Sequence, residues 1–467
     1  MSPDLPSRRA MLLGGLGAIG LAGTARGDIV GMARHWANRD GRPLVGLVPD
    51  GSQANLDAVI ADWTHETGIP VALDVVPVDD VHRTMTLGAL SDTDQPDFAL
   101  PATFNIQDLV AARIIASHDQ IDARIGRLPV SEPGLYTMGD IVDGERYGLQ
   151  TDGDVYLMFY RQDMLTDNAA RYADRYGHPL TRPSTWPELD RQMAFFHRPA
   201  SGQYGGALFR TPGYLVWEFW SRMHAKGHLP FDAELHPLLH QDPAVEALEQ
   251  MIAATAYLHP ATASAGLFEN WRLFQKQDIY CNIGWGGSQK AFNAPGSRVR
   301  GKLVYSRLPG EKREHSSYFN WGWSYVVPQR ARSPELGHLF GTFATSQEHS
   351  TPAVRAADGY FDPFHAIHYE DPEIQKIYSK PFLEVHKAAL AECIPDLYLP
   401  GYGTLFAALS RALQNALSGR QSARAALSGA SEAWQIAILD QQPHRLAAKW
   451  HALLKRYPAE FTEGLDG

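Results

Sequence analysis

The stretch Pro43-Leu44-Val45-Gly46-Leu47-Val48-Pro49-Asp50-Gly51-Ser52 decides the fold class. Its apolar run ends in a polar turn, and Leu56, Val59, Ile60 and Trp63 then recur at helical spacing, which predicts strand, turn and amphipathic helix. Gly68-Ile69-Pro70 stops the helix, and Val71-Ala72-Leu73-Asp74-Val75-Val76 is a second strand-like run. The result is a β-α-β unit, and its parallel strands need helices on both faces.

Working outward, Asp97-Phe98-Ala99-Leu100 reads as the next buried strand, with Leu109 to Ile115 in the following helix. Tyr156-Leu157-Met158-Phe159-Tyr160 is another strand, entered through the polar loop Asp152-Gly153-Asp154. From Trp186 to Leu258 helices dominate, broken at Gly205-Gly206, Pro212-Gly213 and His228-Leu229-Pro230. Strand character returns at Tyr280 to Ile283 and Tyr318 to Val327. The tail is helical: Leu405, Leu409, Ala412 and Leu413 share a face, Gly419 suits a left-handed helix end, and Ser422 caps a helix carrying Leu427, Ala430 and Trp434.

At the N-terminus, Ser7-Arg8-Arg9 precedes an apolar run that extends to Ala22, and Gly23-Thr24-Ala25 supplies small residues for cleavage. Residues 1–25 therefore read as an export signal of the twin-arginine type, with the ordinary export route as the alternative. No other segment has the apolar length of a membrane span, so a periplasmic chain is expected. A formal net charge of -10 argues against nucleic acid as a partner. Two cysteines, Cys281 and Cys393, are too few for a disulfide framework, and their pairing is open. About 440 mature residues call for two domains. Tryptophan is abundant at eleven, and Trp285, Trp321 and Trp323 lie in Gly- or Asn-rich stretches without helical or strand periodicity. A flat apolar face with one donor suits a sugar ring.

The order of motifs resembles the family of extracellular solute-binding proteins that includes maltose-binding protein and multiple-sugar receptors. Thr67-Gly68-Ile69-Pro70-Val71 resembles its first unit, Gln95-Pro96-Asp97-Phe98 its next strand, and Asp143-Gly144-Glu145-Arg146-Tyr147-Gly148-Leu149 its D-G-K-x-Y-G-x-P turn, with Gln150 in place of the proline. Leu157 to Met164, Pro183-Ser184-Thr185-Trp186-Pro187-Glu188-Leu189 and Leu417 to Leu427 are similar to further family motifs in the family's order. The resemblance implies a two-lobed α/β fold of the periplasmic-binding-protein type II kind, with ligand enclosed by hinge closure. It places lobe 1 at 40–150 and 326–372 and lobe 2 at 151–325 and 373–467, with crossovers near 150–155, 321–325 and 371–373. It also implies an ABC permease and ATPase as partners, a monomeric receptor, and a carbohydrate or polyol as the small-molecule ligand.

Candidate ligand-binding residues follow. Asp50, Ser52 and Gln53 occupy the loop after the first strand, where ligands meet open α/β sheets; helix capping is their structural alternative. Asp152 and Asp154 lie at the first crossover, and Asp154 falls where sugar-binding relatives place a carboxylate. Trp285, between Gly284 and Gly286 at a strand's end, resembles the family's sugar-stacking tryptophan, with core packing as the alternative. Asn320, Trp321 and Trp323 flank the second crossover, with one indole expected in the cleft and one in the core. Tyr398 and Tyr402 precede the C-terminal helix where relatives bring in an aromatic, and Arg210, Tyr360, Asp362 and His365 are further candidates. His236/His240 and His365/His368 have metal-ligand spacing, but neither pair carries the glutamate of a zinc-protease motif, and surface or loop histidines are the better reading. No cofactor motif, metal site or hydrolase elbow is read. The alternative class is a periplasmic carbohydrate-active lyase or hydrolase with Asp152 and Asp154 as its acids; a sensor receptor would share the fold.

Overall fold

The computed structural model describes residues 22–37, 41–91, 93–126, 128, 134–312, 318–319 and 321–458. Most of the export-signal segment lies outside them, as does Asn320.

One lobe is organised on three parallel strands, β1 (Leu44–Pro49), β2 (Val71–Val76) and β3 (Phe98–Ala99), with β1 in the centre. The helix Gln53–Thr67 buries Leu56, Val59 and Trp63, and Gly68 ends it at φ +77°. Trp63 packs edge-on to Phe340 and Phe343 of the helix Pro334–Ala344, with both centroids at 5.3 Å. The expected β-α-β unit thus gains its second covering face from a segment far along the chain. The helix expected over Leu109 to Ile115 spans Ile106–Ala111 instead. Ile115 joins a two-residue strand bridged to Val327–Pro328, so this apolar segment pairs as a strand.

A second lobe is organised on four strands. The segment Leu149–Gln150 (β4) leads to β5 (Leu157–Arg161), which joins β6 (Gln203–Ala207), β7 (Asp278–Gly284) and β8 (Leu303–Ser306) in the order β8-β5-β7-β6. β7 runs antiparallel to β5 and parallel to β6. β6 corrects the reading of Gly205-Gly206 as a break between helices. A Cβ on Gly205 would stand 2.4 Å from the Met193 carbonyl oxygen, so this glycine lets a strand press on the helix Trp186–Phe196. Cys281 and Cys393 are buried and are not joined in a disulfide.

Strand β9 (Ser324–Tyr325) runs antiparallel to β4, and Val326 and Trp323 bridge to Ala99 and Ala102. The tail helices Tyr402–Leu417 and Ala423–Leu439 bury Leu405, Leu409, Ala412, Leu413, Leu427, Ala430 and Trp434; Ser422 caps the second by accepting from the Ala425 N–H. Both pack on the second lobe.

The helix Leu215–Ala225 is buried along almost its whole length, charged residues included. Glu218 accepts from Arg210 at 2.5 Å and from Arg222 Nε at 2.9 Å. Arg222 also donates both Nη groups to Asp190 at 2.9 and 2.8 Å, with its guanidinium 4.1 Å above the Trp186 ring. Paired and hydrogen-bonded charges of this kind are tolerated in a core.

Candidate functional site

The acids expected at the first crossover are buried where β4 leads into β5. Gly153 lets the segment 361–364 press against them, because a Cβ there would stand 2.0 Å from the Pro363 carbonyl oxygen. That approach brings in Asp362. Carboxyl oxygens of Asp152, Asp154 and Asp362 all lie within 4.8 Å of one another. Asp152 Oδ1 accepts from the Asp362 N–H at 2.6 Å, while its Oδ2 has no hydrogen-bond partner among the described residues. Asp362 accepts from Tyr378 OH at 2.7 Å and from the Gly287 N–H at 3.1 Å.

Burial, then the neighbouring carboxyls, pushes Asp152 and Asp154 well above the usual carboxylate range. The nearby cation is Lys290, on the helix Gly286–Asn293, whose ammonium donates to the Ala356 carbonyl at 2.9 Å. Burial brings it down to about 8, with Asp362 and Asp152 acting in the opposite direction. His386 Nε2 stands 4.0 Å from Asp362, and burial lowers its proton affinity.

Next to the acids is a wall of rings. Trp285 follows the last residue of β7 and precedes Gly286, where a Cβ would meet the Asp362 carboxyl at 2.3 Å. The glycines leave Trp285 few neighbours in sequence, but distant segments supply them: Tyr156 at 4.8 Å, Phe209 and Trp321 at 5.8 Å, Trp217 at 6.0 Å and Tyr214 at 6.2 Å. The indole is 3 % exposed. Trp321 stacks on Tyr214 at 5.2 Å with an interplanar angle of 10°, and its buried Nε1 has no hydrogen-bond partner among the described residues. Trp323 is 6.3 Å from Trp321 and 6.2 Å from Tyr360, so both indoles join one group of rings.

Asp50, Ser52 and Gln53 stand at the carboxyl end of β1. Ser52 Oγ donates to the Pro49 carbonyl at 2.7 Å and makes no side-chain cap bond, so capping is not its use. Asp50 is exposed, 3.4 Å from the Gln53 amide. This loop meets the acid group through Tyr360, whose ring a Cβ on Gly51 would touch at 3.0 Å. Tyr402 donates instead to Asp396, which also accepts from Trp217 Nε1 at 3.1 Å. Tyr398 lies beside Thr103 and Tyr136 and lines a groove of about 260 Å³ with Gln107, Met138 and Lys449. Arg210 belongs to the ion-pair chain with Glu218. His365 and His368 bond to Thr345, Ser350 and nearby backbone, and His236 to Asp232.

Sequence reading missed Lys290, Tyr378 and His386 beside the acids, and Phe104, Tyr214 and Trp217 among the rings. All six sit in stretches that read as ordinary helix or loop. The lobes also touch directly. Tyr214 OH donates to Asp79 at 3.1 Å, and Asp108 accepts from the N–H groups of Gly401 and Gly403 at 2.5 and 2.9 Å.

Solved structures share this architecture at low identity. A solute-binding protein from Agrobacterium vitis S4 with bound D-mannitol superposes with a TM-score of 0.72 at 17 % identity, covering 85 % of this chain and 98 % of its own. One from Agrobacterium radiobacter K84 in complex with ribitol gives 0.73 and 17 %, covering 85 % and 100 %. Maltose-bound MalE3 of T. maritima gives 0.72 and 17 %, covering 84 % and 99 %. Independently of fold, the sequence model for bacterial extracellular solute-binding proteins matches residues 50–350, from the loop after β1 to the helix Gln347–Arg355. The two-lobed frame and that match together make this chain a member of the bacterial extracellular solute-binding protein family.

Proposed function

We propose that the protein is the receptor of an ABC importer, capturing a carbohydrate or related polyol in the periplasm and releasing it unchanged to a permease and ATPase. The observation that carries this reading is the meeting of Asp152, Asp154 and Asp362 with the Trp285–Trp321 ring wall at the junction of the lobes. Carboxyls there accept from adjacent hydroxyls, and indole faces cover the C–H side of a ring. Solved proteins of the same fold hold D-mannitol, ribitol and maltose, which supports a hydroxyl-rich ligand.

On this reading the lobes comprise 40–150 with 326–372 and 151–325 with 373–467, after an export signal at 1–25. β4 and β9 serve as the hinge, and the contacts of Tyr214 with Asp79 and of Asp108 with Gly401 form on closure. The test is a thermal-shift screen of sugars and polyols followed by titration calorimetry. Binding to the native state alone raises the Tm with ligand concentration, and the ligand is recovered intact. Continuous release of product from a bound sugar would overturn the receptor in favour of a carbohydrate-active enzyme using Asp152 and Asp154.

A further inference from the structure

The balance of charge at the lobe junction bears on the class of ligand, an inference that rests on the carbohydrate-receptor reading. Three carboxyls lie within 4.8 Å of one another, and Lys290 is the ammonium acting on Asp152 and Asp362 among the described residues. Asp362 already accepts from Tyr378 and Gly287, and Asp152 Oδ1 from Asp362. The acceptor capacity left over belongs to Asp152 Oδ2, and Asp154 shares its carboxyl with Asp152 and Asp362.

Two other buried groups face the same spot without a well-formed hydrogen bond. The Tyr360 hydroxyl, in a residue 5 % exposed, has Ser52, Asp152 and Asp154 as its polar surroundings. His386 Nε2, in a residue 0 % exposed, points at Asp362 from 4.0 Å. Trp285 and Tyr156 close one flank, and Trp323 packs on Tyr360. Carboxylates walled by indole and phenol faces are the surroundings that stabilise a desolvated cation, by charge-assisted hydrogen bonds and by the negative ring faces.

We infer that the ligand carries a cationic nitrogen: it is an ammonium-bearing sugar or polyol whose charged group is received by Asp152 and Asp154 in the closed cleft. A neutral polyol would leave these two acids to be neutralised by protons. An ammonium brings the missing positive charge and three donors with it. The other titratable groups facing the site are Lys290, His386, Tyr360, Tyr369 and Tyr378.

The experiment is calorimetric titration of the full mature chain at pH 6 and pH 8 with matched pairs differing in one group. Suitable pairs are D-glucose and D-glucosamine, D-galactose and D-galactosamine, and D-sorbitol and 1-amino-1-deoxy-D-sorbitol. The amine member should bind at least about tenfold tighter at pH 6, where the amine is fully charged. Asp154→Asn, which keeps the shape of the side chain, should reduce that preference to about threefold or less, with Asp152→Asn as the second variant if Asp154→Asn fails to fold. Equal or tighter binding of the hydroxyl members, with proton uptake on binding, overturns the amine while leaving the carbohydrate receptor intact. Failure of every member to bind overturns both.

Discussion

The chain Asp190–Arg222–Glu218–Arg210, apart from its partly exposed Asp190 end, and the group Asp152–Asp154–Asp362 are both buried, yet the first pairs two acids with two guanidiniums while the second sets three carboxyls against Lys290. Tyr156 stands between them, against Trp285 on one side and facing the charges of Glu218 and Arg210 on the other. In the ion-pair chain, burial works against the Glu218 charge, but Arg210 and Arg222 hold its proton affinity below the usual range. In the acid group, burial and like charge act together and raise Asp152 and Asp154. Equal burial therefore gives opposite outcomes. A cluster whose charges close among themselves serves the fold, and one left open is suited to a partner from outside.

The largest effect should come from opening the closed cluster. Glu218→Ala leaves two guanidiniums buried without their shared acceptor and should lower unfolding stability by about 3 to 5 kcal/mol, read by chemical denaturation. A loss below about 1 kcal/mol would mean that Arg210 and Arg222 find other acceptors, and the contrast would fail. Trp285→Ala, which removes a ring shared by five others, should cost about 3 kcal/mol of stability as well as affinity. Unchanged stability would place the indole outside the packed wall.

The pH dependence separates the two clusters by sign. Asp152 and Asp154 hold protons more tightly folded than unfolded. Their contribution is complete below the ordinary value of 3.8 and is lost as pH rises through their raised folded values. Glu218 behaves oppositely: its contribution is present above the ordinary value of 4.5 and is lost as pH falls through its lowered folded value. Denaturation midpoints of the ligand-free protein across pH should therefore decline less steeply on the alkaline side in Asp154→Asn, while Glu218→Gln should weaken the decline on the acid side. Parallel curves for Asp154→Asn and the parent would show that Asp154 does not hold its proton in the fold.

The smallest effect is expected at the lobe contact. Tyr214→Phe deletes the hydrogen bond to Asp79 but keeps the ring stacked on Trp321. It should weaken ligand binding by about 1 kcal/mol, roughly fivefold, with little change in unfolding stability. An equal loss in both would make the bond structural and not a part of closure.

The β-α-β opening and the helical tail with its Ser422 cap were legible in sequence, because each depends on residues within one or two turns of chain, whereas Asp152, Asp154 and Trp285 stood out as candidates through loop chemistry joined to the family resemblance. Hydrophobic period, cap and loop chemistry are local quantities. The strand Gln203–Ala207 was hidden because its two glycines read as a break, and only the pressing of the helix Trp186–Phe196 on Gly205 explains them. Asp362 reaches Asp152 across 210 residues of chain, and Lys290 arrives on a helix whose sequence gives no sign of the acids it faces. Which charges are closed and which are left open was thus decided by tertiary structure alone, since burial and electrostatic balance are properties of what the folded chain brings together and not of any one segment.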